Sequence, residues 1–165
     1  MAKLIVFGGL SGTGKTAIAR EVACEVNAVY VRIDSIEQAI RDSGDRPIDD
    51  AGYRVAYVVA EDNLRMGCNV VADCVNPLRI TREAWLEVAD RAGARTVEVE
   101  IVCSDPQQHR QRVENRVSDI PGLKLPTWDE VISREYEPWQ RRHIVIDTAR
   151  HTVSDSVNQL LQLLR

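Results

Sequence analysis

Lysine is scarce in this chain. Of 21 basic residues only Lys3, Lys15 and Lys124 are lysine, and the rest are arginine. Basic side chains are also outnumbered by 25 acidic ones, for a formal net charge of −4. With no general positive field, long nucleic acid is not an expected partner. No apolar run approaches the ~20 residues that a membrane-crossing helix needs. The N-terminus enters a strand-like stretch with no signal-peptide pattern, so a cytoplasmic location is expected and a membrane partner is not. Cys24, Cys68, Cys74 and Cys103 show no C-x-x-C spacing and sit in apolar stretches. That favours buried free thiols over zinc ligands or disulfides. His109, His143 and His151 lie too far apart in the pattern to form a metal cluster. Linkers, internal repeats and low-complexity segments are also missing, which predicts one domain over residues 1–165.

What is there centres on Gly9-Leu10-Ser11-Gly12-Thr13-Gly14-Lys15-Thr16. It fits G-x-x-x-x-G-K-[ST] without a mismatch. Lys3–Phe7 ahead of it is short, apolar and rich in strand formers, and Ala17, Ile18, Val22 and Val26 behind it fall at helical spacing. Strand, glycine-rich turn and helix in that order is the context of a phosphate-binding loop. Glycines let successive backbone N–H groups close around phosphate oxygens, and the positive end of the helix dipole faces the same anion. In that arrangement Lys15 reaches the β- and γ-phosphates and the Thr16 hydroxyl ligates Mg²⁺.

The rest of the chain alternates strand and helix. Strands are predicted at Ala28–Ile33, Asn69–Cys74, Thr96–Cys103 and His143–Asp147, with helices between them. The helix after the second strand is broken by Ser43–Pro47, and a longer one runs from about Asp49 to Met66. Thr81 is the expected cap of the helix that follows the third strand, and Ser104-Asp105-Pro106 is a further helix start. A loop from Val117 to Thr127 precedes a helix over Thr127–Glu137, which Pro138 ends. The Val/Glu alternation of Val97–Val102 predicts that part of one face of the fourth strand is wet or lies near an edge. Such a succession gives an open parallel α/β sheet with right-handed crossovers. Ligands bind such sheets outside the carboxyl ends of the strands. Asp34, Asp73–Arg79, Ser104 and Asp147–Arg150 fall there.

With these residues in place, the chain resembles the small P-loop kinases and AAA-domain-type ATPases. Among them are nucleoside monophosphate, shikimate and gluconate kinases, adenylylsulfate kinase and the kinase domain of polynucleotide kinase. The resemblance rests on Gly9–Thr16, Asp34, Asp73–Arg79 and Arg112–Arg116. It implies a three-layer P-loop NTPase fold, a five-stranded parallel sheet in the order 2-3-1-4-5, and ATP with Mg²⁺ as cofactors. An arginine-bearing lid at about residues 116–127 is implied as well.

Residue by residue, the resemblance makes Asp34 the group that binds the acceptor hydroxyl or takes its proton; capping the next helix is the plainer role. Asp73 would hold magnesium through water or, alternatively, bond the glycine loop. Arg79, in a loop resembling that of adenylylsulfate kinases, would bind an anionic group on the acceptor, unless it is a surface arginine. Arg112 would stack over adenine and Arg116 would cross to the transferring phosphate, with a salt-bridged helix face as the alternative. Thr148 falls where the family wraps the adenine edge. Together these imply an ATP-dependent kinase that phosphorylates a hydroxyl of a small-molecule acceptor. A 5′-hydroxyl nucleoside or oligonucleotide kinase, an adenylylsulfate kinase and an ATP-binding switch without an acceptor are the alternatives. Tyr136-Glu137-Pro138-Trp139 has no assigned role, and Trp85, Trp128 and Trp139 are expected in packing rather than in a stacking platform.

Overall fold

A computed structural model describes residues 1–44 and 48–164. The first strand, β1 (Lys3–Gly8), is followed by α1 (Lys15–Glu25), β2 (Ala28–Arg32), α2 (Ile33–Asp42) and α3 (Ala51–Arg65). Next come β3 (Asn69–Asp73), α4 (Arg79–Arg91), β4 (Arg95–Val102) and α5 (Pro106–Asn115). The chain ends with α6 (Trp128–Ile132), β5 (Ile144–Asp147) and α7 (Val153–Leu163). All pairings are parallel and the sheet order is β2-β3-β1-β4-β5, as expected.

Side-chain alternation along β1 explains the three layers. Leu4 and Val6 point into a core shared with Ala56 and Ala60 of α3 and Trp85 and Val88 of α4. Ile5 and Phe7 point the other way, against Ile18 and Val22 of α1 and Val157 and Leu160 of α7. A central strand covered on both faces is nearly continuously apolar, as β1 is from Leu4 to Phe7. Its carboxyl end then runs straight into the glycine loop.

Several expectations are corrected. The helix expected over Thr127–Glu137 stops at Ile132. Beyond it the chain leaves the helical path and crosses the sheet as a strap, with the Glu137 N–H donating to Pro77 O at 2.8 Å. Of the two readings of the Val/Glu alternation in β4, nearness to an edge holds, since β4 adjoins the edge strand β5, while the strap covers the face expected to be wet. Glu98 is only 8% exposed and accepts two bonds from Arg141, at 3.0 and 3.2 Å. Glu100 accepts from Tyr136 Oη at 3.0 Å and meets His143 Nε2 at 2.9 Å. Each glutamate has therefore kept its charge or polarity under cover by acquiring partners. Thr81 does not cap α4: the N-cap is Leu78, and the Thr81 hydroxyl lies 2.8 Å from both Leu78 O and Asn76 Oδ1. Cys74 is buried as expected, whereas Cys24 and Cys68 are exposed; all four thiols are free. Cys24 directly follows Ala23 on α1, and the helical turn carries it off the buried face. The expected break at Ser43–Pro47 holds at Ser43, the C-cap of α2, while Asp45–Pro47 lie outside the described residues. Among the described residues, no helix is long and apolar enough to cross a membrane.

The strap gives Tyr136–Trp139 a structural role. Arg82, 2% exposed, donates to four carbonyls: Asn76 O at 3.0 Å, Pro77 O at 2.9 Å, Glu137 O at 2.6 Å and Pro138 O at 3.2 Å. Its guanidinium also lies over the Trp139 ring at 4.3 Å and the Tyr136 ring at 5.3 Å. A buried cation needs its donors satisfied, and here the loop after β3 and the strap supply every acceptor. Trp139 in turn packs against Gly8, where an added Cβ would come within 2.5 Å of its ring. The other tryptophans also pack: Trp85 is fully buried and Trp128 meets His109 edge-on.

Candidate active site

The glycine loop joins β1 to α1, and two positions show why it needs glycine. Gly9 has φ +138° and a Cβ there would stand 2.2 Å from Ile101 O. Gly12 has φ +84° and its Cβ would meet Val113 Cγ2 at 2.4 Å. Both the backbone angle and the space exclude a side chain. The loop is braced from behind by three elements. Gly9 N–H donates to Val75 O at 3.0 Å, His109 Nε2 meets Ser11 O at 2.8 Å, and Thr148 Oγ1 donates to Thr13 O at 2.6 Å. Leu10, Ser11, Gly12, Gly14, Lys15 and Thr16 face a cavity of about 590 Å³, while Gly9, Thr13 and Thr148 sit behind it.

Lys15 lies at the start of α1 with Nζ 3.1 Å from Asp73 Oδ1, and Asp73 is 2% exposed. Tyr30 Oη donates to the other carboxylate oxygen at 2.6 Å. Burial works against charge on Asp73, but the Lys15 ammonium and hydrogen bonds from Tyr30, Lys15 and Thr16 outweigh it and hold the carboxyl below its usual range. Burial, and then the Asp73 charge, push the Tyr30 phenol well up, so it stays a neutral donor. The Thr16 hydroxyl and the Asp73 carboxylate are thus adjacent hard oxygen donors. That donor set fits Mg²⁺, which takes one or two protein ligands and completes its shell with phosphates and water. Among the described residues no group of three or more His, Cys, Asp or Glu is placed to cage a metal.

Asp34 is inside the first turn of α2, whose N-cap is Arg32, and it makes no capping bond. It lines the large cavity and also a second one of about 310 Å³. The two share a wall made of Ser11, Asp34, Val75, Arg116, Leu123 and Leu125. Here the two arginines expected on one helix face part company. Arg112, within α5, lines the large cavity and donates to Thr148 Oγ1 at 2.7 Å, Thr148 O at 2.9 Å and Thr13 O at 3.4 Å, tying the loop to the end of β5. Arg116 is the C-cap of α5 with extended backbone, so its side chain leaves the helix face for the junction of the cavities. Its Nε and Nη2 are buried without a hydrogen-bond partner. Burial lowers its affinity for a proton, and the nearby Asp34 charge partly restores it.

Residues between α5 and α6 roof both cavities. Asp119 in this roof is clasped by Arg20 of α1 and by Arg32 of β2, the latter at 2.9 and 3.0 Å. Arg79 is not brought to the site. It is 61% exposed, pairs with Glu83 at 3.4 Å and lines neither cavity. The smaller cavity presents Tyr53 of α3 together with Glu37, Arg41, Lys124 and Arg134, four residues that the sequence did not single out as ligand-facing. Tyr30, Arg32 and His109 were missed as well. Each lies in an ordinary strand or helix stretch, and only the sheet order brings it beside the loop.

A five-stranded 2-3-1-4-5 sheet with a Lys–Thr-bearing glycine loop on its central strand defines a P-loop nucleotide-binding protein of the small kinase-like fold. More narrowly, the chain belongs to the AAA domain family, whose model matches residues 4–134. Among solved structures it is similar to the Mycobacterium tuberculosis APS kinase in complex with AMPPNP and APS, with a TM-score of 0.74 and 18% identity over 99% of this chain and 97% of that one. It is also similar to a gluconokinase from Sinorhizobium meliloti, with a TM-score of 0.66 and 19% identity over 97% and 90% of the two chains. A curated relative, the mitochondrial Lon protease homolog of Debaryomyces hansenii, is 26% identical over 94% of this chain. The chain spans 14% of that relative's length.

Proposed function

We propose that this chain is an ATP-dependent phosphotransferase, moving the γ-phosphoryl group of ATP to a hydroxyl of a small molecule. The observation that carries the reading is the shared wall. A cavity floored by a phosphate-binding loop opens onto a smaller one across Asp34 and Arg116. A pure nucleotide switch has no need of a second cavity with a carboxylate at the threshold. Likeness to an APS kinase and a gluconokinase supports the same reading at the level of fold.

In this reading residues 1–165 act as one kinase domain, with a lid at about 116–127. The acceptor oxygen attacks the γ-phosphorus. The new O–P bond forms as the bond from γ-phosphorus to the β–γ bridging oxygen breaks, and ADP leaves. Asp34 aligns the hydroxyl and takes its proton. Lys15 counters charge on the β- and γ-phosphates, and Arg116 counters charge on the transferring group. Mg²⁺, when bound by Thr16 and Asp73, supplies further neutralisation of phosphate charge. Arg112 lines the nucleotide cavity while tied to Thr148, where the resemblance places the adenine.

The test uses purified protein, γ-labelled ATP and Mg²⁺ with a panel of sugars, polyols, nucleosides, adenylylsulfate and hydroxy acids. Slow basal ATP hydrolysis, and transfer of label to one class of hydroxyl compound, are expected. ATP binding with no label transferred to any compound would contradict the reading and favour a switch.

A further inference from the structure

Helix α3 is apolar on two sides. Gly52, Ala56, Ala60 and Leu64 form its buried edge, and the last three belong to the core beneath it. The outer side carries Val55, Val58 and Val59, with Met66 at the C-cap, and all four are exposed, Val58 at 62% and Met66 at 71%. They are four of the eleven large apolar side chains exposed among the described residues, so the exposed apolar surface is concentrated on one helix. Single apolar residues scattered over a surface need no explanation. A helix apolar on both sides does, because such a helix is ordinarily buried. Valine is also a poor residue for an exposed helix position, where its branched side chain loses rotamer freedom without gaining packing.

The charged residues on this face narrow what covers it. Arg54 and Asp62 flank Val58, one helical turn before it and one turn after. Both are exposed, and neither is in an ion pair among the described residues. About 12 Å of helix separates them, so they do not meet within one chain. Two copies of α3 packed antiparallel about a two-fold axis beside Val58 change that. Each Asp62 then comes level with Arg54 of the other copy, on either side of a contact between the two Val58 side chains. A parallel pair would set Asp62 against Asp62 and Arg54 against Arg54, which like-charge repulsion disfavours. Complementing itself under a two-fold rotation is the property that an isologous interface requires.

We infer that the exposed face of α3 is a docking surface for a second copy of this chain, forming an antiparallel helix pair with ion pairs between Arg54 and Asp62 across it. The inference is independent of the phosphotransferase reading, since neither cavity is lined by any of these residues.

The experiment is sedimentation equilibrium of the full chain from about 1 µM to 1 mM, a range that covers the weak association a small interface supports. The mean mass is expected to rise from 18.5 kDa toward twice that value. Val58→Asp, which sets two carboxylates together at the axis, is expected to raise the dissociation constant about 100-fold or more. Arg54→Asp and Asp62→Arg each bring like charges together and are expected to weaken the dimer about tenfold or more. The double variant Arg54→Asp/Asp62→Arg restores opposite charges and is expected to recover most of that loss. All three positions are exposed, and an unchanged circular-dichroism spectrum confirms the fold of each variant. A monomer at every concentration overturns the inference and leaves the face to a different partner. A dimer unmoved by Val58→Asp, or single charge variants that the double variant does not rescue, overturns it as well.

Discussion

Replacing Asp34 with asparagine is expected to lower turnover by about 10²–10⁴-fold, the range lost when a positioned general base is removed. Nucleotide affinity should change little. Asp34 belongs to the first turn of α2, on the wall between the cavities, whereas the phosphate cradle is built by Ser11–Thr16. Asparagine keeps the size and can still accept a hydrogen bond, so it removes the proton acceptor together with the negative charge beside Arg116. A steady-state assay with labelled ATP, alongside calorimetry with AMPPNP, separates the two effects. If the variant turned over at the parent rate, Asp34 would be only a residue of the first helical turn. If AMPPNP binding fell as far as turnover did, its role would lie in nucleotide binding.

The second large effect belongs to Arg116. Arg116→Ala is expected to cost about 10³-fold in kcat, the lower range for an arginine that meets the transferring phosphoryl group. The geometry behind this is a guanidinium at the cavity junction with buried, unpartnered Nε and Nη2. A structural arginine looks different. Arg82 spends its donors on four carbonyls. Arg116→Lys should restore part of the rate, since charge returns without the planar fork. An alanine variant with unaltered kcat, or one whose loss is confined to the nucleotide KM, contradicts the assignment.

Much of this was legible in the chain because the signals are local. Gly9–Thr16 carries its own context, and continuous apolar strands separated by helical periods lead to a parallel sheet whose carboxyl edge holds the site. Asp34 and Asp73 were singled out by position along that edge, and Arg116 by the resemblance to the small P-loop kinases. The illegible parts depend on contacts between distant segments. Nothing near Arg79 shows that its side chain turns out to Glu83, and nothing near Arg134 shows that the strap returns it to the cleft. Glu98 and Glu100 read as wet because their partners, Arg141, His143 and Tyr136, lie more than thirty residues away. The end of α6 was missed for the same reason: the pattern through Tyr136 is compatible with a helix, but Arg82, Pro77 and Glu98 reward the extended strap instead.

The most direct measurement is a crystal structure of the protein with Mg²⁺, ADP and a planar phosphoryl mimic such as aluminium fluoride. The account predicts the mimic at the shared wall, with Arg116 donating to its equatorial atoms and Asp34 facing its open apical side, where an acceptor oxygen would stand. A mimic enclosed by the glycine loop alone, with Arg116 turned away and the path to the smaller cavity closed, would contradict it.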